Sequence, residues 1–114
     1  MHRITLLIFI ALLFSYSSLA EERGRIGLTL DITTGGIFSH ELTELKVKSI
    51  DSNSPAEKAG IKVGQKILSI DGCKIPGCSA SKSKKLLTRK PGDILPLLIE
   101  RSDGTQVLIQ ILVE

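Results

Sequence analysis

The residues that could do covalent or proton-transfer chemistry in this chain are few. Cys73 and Cys78 stand close together in Gly72-Cys73-Lys74-Ile75-Pro76-Gly77-Cys78. Thiols at that spacing can pair as a disulfide or join a metal shell. A structural metal wants about four ligands, and outside the first twenty residues His40 is the only histidine, so no metal set assembles around them. An even number of close cysteines in an exported chain favours a disulfide, worth about 2 kcal/mol for so short a loop. Two free thiols are the alternative. Any Ser-His pair would depend on His40, which lies in the stretch Ile37 to Thr43, read as a loop. Asp31-Ile32-Thr33-Thr34-Gly35 holds no contiguous Asp-Thr-Gly. Neither catalytic residues, nor a cofactor, nor a metal is expected, and binding remains.

The elements that would position a binding surface follow from the pattern. Ile26 to Ile32 alternates apolar with small or polar residues, which is a strand with one buried face. Thr33-Thr34-Gly35-Gly36 breaks it. Leu45 to Ile50 alternates again. Ser54-Pro55-Ala56-Glu57-Lys58-Ala59-Gly60 carries a cap, a proline at the first helical position, a glutamate three residues after the cap and a terminal glycine, the marks of a short helix. Gln65 to Ile70 is a third strand, ended by Asp71-Gly72. Ser79 to Lys90 reads as a longer helix stopped by Pro91-Gly92. Ile94 to Arg101 and Gln106 to Val113 are apolar strands, with Asp103-Gly104 read as a two-residue hairpin turn. Pro96 marks an unpaired or edge position. The expected fold is α+β, a partly open β-barrel or sandwich of five to six strands capped by two helices.

The first twenty residues differ from the rest. Met1-His2-Arg3 is basic, Ile4 to Phe14 is apolar except for Thr5, and Ser18-Leu19-Ala20 suits a signal peptidase. The expected organisation is a leader over 1–20 and one domain over 21–114, secreted or periplasmic. The apolar run is shorter than the roughly 20 residues a bilayer requires, so no stable membrane span is expected after cleavage. Formal net charge is +3 for the whole chain. Bases alternate with acids along most of it, which argues against nucleic acid as a partner.

The order of elements, with the run Ser54 to Gly72, resembles the PDZ domain family. That run is similar to the family's "SPAxxAGlkxGDxIlxinG" segment, with Gln65 where the family usually has Asp. Leu86-Leu87 followed by Lys90-Pro91-Gly92-Asp93 resembles the end of the family's second helix and its turn. Arg25-Ile26-Gly27-Leu28 fits the family's ligand-binding loop, x-apolar-Gly-apolar. Few residues precede that loop once the leader is removed. The resemblance is therefore to the bacterial, circularly permuted, protease- or secretion-associated members, with Gln106 to Val113 in place of the strand that animal members put first.

The resemblance implies a mechanism. A peptide would add as a strand to the edge of Leu28 to Ile32, in a groove walled by the helix 79–90. Its terminal carboxylate would meet the amides of Ile26, Gly27 and Leu28, with Arg25 adding charge. Ile26, Leu28, Leu30 and Leu87 would line an apolar pocket for the last ligand residue. Ala80 falls where many animal members carry a histidine that bonds a ligand hydroxyl, so an apolar third-from-last residue is expected. Lys84 would point into the groove, with Lys82 and Lys85 nearby. The expected partners are C-termini or extended protein segments. A module that docks a folded envelope protease or secretion protein without reading a C-terminus is the alternative.

Overall fold

A computed structural model describes residues 23–35 and 40–114. The leader expected over 1–20 and residues 37–39 of the expected loop lie outside them. The described elements run β1 (Leu28–Thr34), β2 (Leu42–Ile50), α1 (Pro55–Lys58), β3 (Lys66–Ile70), β4 (Cys73–Lys74), α2 (Ala80–Leu87), β5 (Ile94–Glu100) and β6 (Gln106–Leu112). The strands form one antiparallel sheet in the order β1-β2-β3-β5-β6, with β4 beside β3. Ahead of β1, Arg25 and Glu114 exchange both backbone hydrogen bonds (2.6 and 3.2 Å). The sheet thereby curls until the end of β6 meets the lead-in to β1. β6 thus takes the place foreseen for the last strand, and the α+β class with a partly open sheet holds.

The core is built from one face of each strand. Leu95, Leu97 and Ile99 of β5 are fully buried, and so are Ile67 and Ile70 of β3, Leu45 and Val47 of β2 and Ile111 of β6. Their neighbours along each strand are more exposed. Truncating one such side chain to alanine costs about 2–5 kcal/mol. Pro96 lies one residue past the last β3–β5 pair, Ile70↔Leu97, where its carbonyl accepts from the Asp71 N–H (2.8 Å). Contrary to the expected unpaired or edge position, Pro96 pairs with Gln110 of β6 in the interior strand β5, and its missing donor falls at the end of the β3–β5 ladder.

Several boundaries move. β1 continues through the two threonines, because Thr34 pairs with Leu42 past a register shift. β2 begins three residues before the expected start, because Leu42 is buried and its N–H and C=O bond to Cys78 and Gly77. The two-residue strand β4 has too little pattern to be read. α2 ends at Leu87, not Lys90: Thr88 is extended (φ −86°, ψ 98°) and its N–H and hydroxyl both satisfy the Lys84 carbonyl. The β5–β6 turn is also different. Gly104 donates to the Arg101 carbonyl and Arg101 to the Thr105 carbonyl. Gly104 has φ +86° while Asp103 is not left-handed, so Ser102-Asp103 form the turn and Gly104 the bulge of a three-residue loop. Asp103 accepts from the N–H and hydroxyl of Thr105 (3.0 and 2.6 Å), bonds that hold its carboxyl below the usual aspartate value.

Candidate functional site

The loop Arg25-Ile26-Gly27-Leu28 rests on the N-terminus of α1. Ser54 caps that helix by accepting from the Glu57 N–H (3.2 Å). Glu57 accepts in turn from the Asn53 N–H (3.4 Å), one residue ahead of the cap. The Ala56 N–H donates to the Ile26 carbonyl and the Asp51 N–H to the Gly27 carbonyl, each at 3.0 Å. Gly27 has φ +84°, and a Cβ there would overlap the Ser54 side chain, with Oγ at 2.5 Å. Only glycine meets both demands.

The carbonyls of Arg25, Ile26 and Gly27 therefore all point inward to partners. Among the described residues, the N–H groups of Ile26 and Gly27 have no backbone partner. The Asp51–Gly27 bond lies one residue outside the Leu28↔Ile50 pair, which makes that pair non-hydrogen-bonded. The N–H and C=O of Leu28 then face away from β2. Alternation along the strand carries the same orientation to Leu30 and Ile32. β1 has β2 as its one strand neighbour among the described residues, so this edge is open.

Helix α2 flanks that edge, fixed by backbone bonds at both ends. At its N-terminus the Ala80 N–H donates to the His40 carbonyl (2.8 Å) and Glu41 bridges Ser79, beside the end of β1, where Gly35 donates to the Glu41 carbonyl. Past its C-terminus the Arg89 carbonyl accepts from the Gly24 N–H (2.7 Å), just ahead of the loop. The helix and β1 thus run in opposite directions. Ile26, Leu28, Leu30, Ala80, Leu86 and Leu87 are half-buried and packed against the core. Ile32 is 59% exposed. Lys82, Lys84 and Lys85 are exposed, with Lys84 one turn from both Ala80 and Leu87.

The structure packs Ile26, Leu28, Leu30, Ala80 and Leu87 against one core and leaves Lys84 exposed on α2. It gives Arg25 a further task, since the guanidinium donates to the carbonyls of Ser52 (3.3 Å) and Asn53 (3.5 Å). Cys73 and Cys78 are joined in a disulfide, with Cα atoms 5.5 Å apart. His40 stands exposed at the head of β2, and no cluster of metal-binding side chains occurs among the described residues. Sequence reading missed Arg89 and Asp71. Their side chains pair at 2.6 Å across 18 positions, and no local pattern marks such a pair.

A PDZ domain family model matches residues 17–100, ending where β5 ends. Syntenin-2 of Rattus norvegicus is 32% identical over 79 residues, which are 69% of this chain and 24% of syntenin-2. The chain thus spans about a quarter of that relative's length. A PDZ domain protein from Parabacteroides distasonis matches with a TM-score of 0.63 at 25% identity, over 80% of this chain and 20% of that one. The PDZ domain of HtrA3, solved with a phage-derived ligand (FGRWV), matches with a TM-score of 0.56 at 25% identity, over 82% of this chain and 86% of that domain.

Proposed function

Because the chain belongs to the PDZ domain family, a family of protein-interaction modules, we propose that it captures the free C-terminus or an extended segment of a partner protein. The segment adds as a strand to the outer edge of β1, opposite α2. One observation carries this reading: an open strand edge, starting at a left-handed glycine with unpartnered neighbouring amides, lies beside a helix tied to both ends of that strand. Each ladder bond to Leu28, Leu30 or Ile32 contributes about 0.5–1.5 kcal/mol net. The amides of Ile26, Gly27 and Leu28 converge on the ligand carboxylate. Ile26, Leu28, Leu30 and Leu87 take its last side chain, an apolar one, because polar atoms there would lose their partners. The valine that ends the HtrA3 ligand supports that preference. Ala80 offers no hydrogen bond, so the third residue from the end is apolar too. The role is binding, without catalysis.

The disulfide, the bacterial structural relative and the leader-like first twenty residues support a secreted or periplasmic location. Partners there would include an envelope protease or a secretion component.

A random library of peptide C-termini, screened against the protein purified from an export-competent host, tests the proposal. Apolar C-termini should be enriched, and binding should fall on amidation and in Leu28→Lys. Hits that survive both changes would point instead to a surface that docks partners without reading a carboxylate. No enrichment at all would remove the groove as the functional site.

A further inference from the structure

The groove wall is strapped to the β3–β4 hairpin at both ends, by different chemistry. Residue 78 immediately precedes Ser79, the N-cap of α2, and its sulfur is bonded to Cys73 of β4. The Cys78 N–H also donates to the Lys74 carbonyl (2.8 Å) and its carbonyl accepts from Leu42 (2.8 Å). Cys78 is buried. The first strap therefore holds the N-terminus of the helix, at the end that lies toward Thr34. The second is Arg89. Its Nε donates to the Leu86 carbonyl (2.6 Å), an orphan acceptor of the last helical turn. Its Nη2 meets Asp71 Oδ2 at 2.6 Å, in the turn that leads into β4. The Arg89 carbonyl holds Gly24, ahead of the loop. The Arg89 side chain is 20% exposed. The other described ion pairs, Lys58–Glu114 and Lys66–Glu44, join more exposed groups away from the helix.

Resting on the function proposed above, we propose that Arg89, through Asp71, and the Cys73–Cys78 disulfide are separate positioning elements for the two halves of the groove. Arg89 and Asp71 set the helix against the loop that takes the ligand's last residues. The disulfide sets it against the far end of β1, where upstream ligand residues lie. The antiparallel run of α2 and β1 forces this division, because a ligand ending at Gly27 and pairing along β1 reaches Ile32 only with its upstream residues. A fixed wall lowers the ordering cost of binding, and each strap acts only on the contacts at its own end.

The experiment uses the tightest-binding library decapeptide and the tripeptide of its C-terminus, measured by titration calorimetry on the purified protein. Asp71→Asn keeps a residue that tolerates the left-handed turn, where Asp71 has φ +46°, while removing the ion pair. It should weaken both peptides by a similar factor of roughly ten. Cys73→Ser/Cys78→Ser should weaken the decapeptide by a similar factor and leave the tripeptide within about twofold. Glu44→Gln, which breaks the remote surface pair, should change neither. Circular dichroism reports folding of each variant. Equal loss on both peptides in the cysteine variant, or no loss in Asp71→Asn, overturns the division of labour even though the groove itself binds. A wild-type protein that binds neither peptide removes this proposal together with the function it rests on. If the cysteine variant does not fold, single Ser79→Gly, which loosens the same helix end, replaces it with the same expected pattern.

Discussion

The two helices cap their first turns by the same bond, in opposite settings. Ser54 accepts from the Glu57 N–H and Ser79 from the Lys82 N–H, both at 3.2 Å. Ser54 is fully buried, and Ala56 beside it is part of the core. Ser79 is half-buried, and four of the eight residues of α2 are exposed. α1 has proline at its first position and an acid in its first turn, while α2 has no acid there and two lysines in its last turn. α1 is short and locally over-determined, and the loop Arg25-Ile26-Gly27-Leu28 is built on it. α2 is longer, less determined by its own sequence, and held by bonds from distant segments. In the proposed groove the corner is fixed by bonds within its own segment, and the wall by bonds from distant ones.

Four measurements sharpen or break that contrast. The largest effect belongs to the corner: Gly27→Ala meets both a left-handed φ and the Ser54 side chain. It should cost about 3 kcal/mol in urea unfolding, with binding of apolar C-termini abolished. A loss under about 1 kcal/mol would mean that the loop shifts freely and that the corner is not rigid. Next, Ser54→Ala should cost about 1–2 kcal/mol, since an amide is orphaned at a buried cap. Ser79→Ala follows at about 0.5–1 kcal/mol, because water reaches its half-exposed cap. Equal losses from the two serines would contradict the assigned difference between corner and wall. The smallest effect lies on the wall: Lys84→Glu should leave the unfolding midpoint unchanged. It should shift ligand preference away from acidic upstream side chains by a few tenths of a kcal/mol, read by competition between acidic and basic peptides.

Much of this architecture was legible in the residues because the signals are local. The run Ser54 to Gly60 announces a helix through four features within seven positions, and the helix forms with that cap and that terminal glycine at φ +87°. Leu95, Leu97 and Ile99 lie in the core, in a segment legible as an apolar strand. Leu28, Leu30, Ala80 and Leu87 are half-buried against the core because strand and helix periods leave little freedom once their elements are placed. The misreadings have long-range causes. β2 reaches back to Leu42 because Cys78 and Gly77 offer partners from 35 positions away or more. Residues 88–90 keep helix-compatible side chains, yet the chain extends there because the Arg89 carbonyl receives Gly24. The Asp103-Gly104 pair suits a two-residue turn, but the Glu100↔Gln106 register leaves room for a longer one.

The sequence by itself determined the order of the elements, the capped corner, the apolar pattern of the core and the glycine that the loop requires. Each of these depends on groups within a few residues of one another, so spacing along the chain stands in for distance in space. The tertiary structure alone decided that β1 is left with an open edge, that α2 runs opposite to it, and where that helix stops. It also decided that Arg89 meets Asp71. Those outcomes depend on which distant backbone groups find each other as the sheet curls, and no spacing in the chain records that.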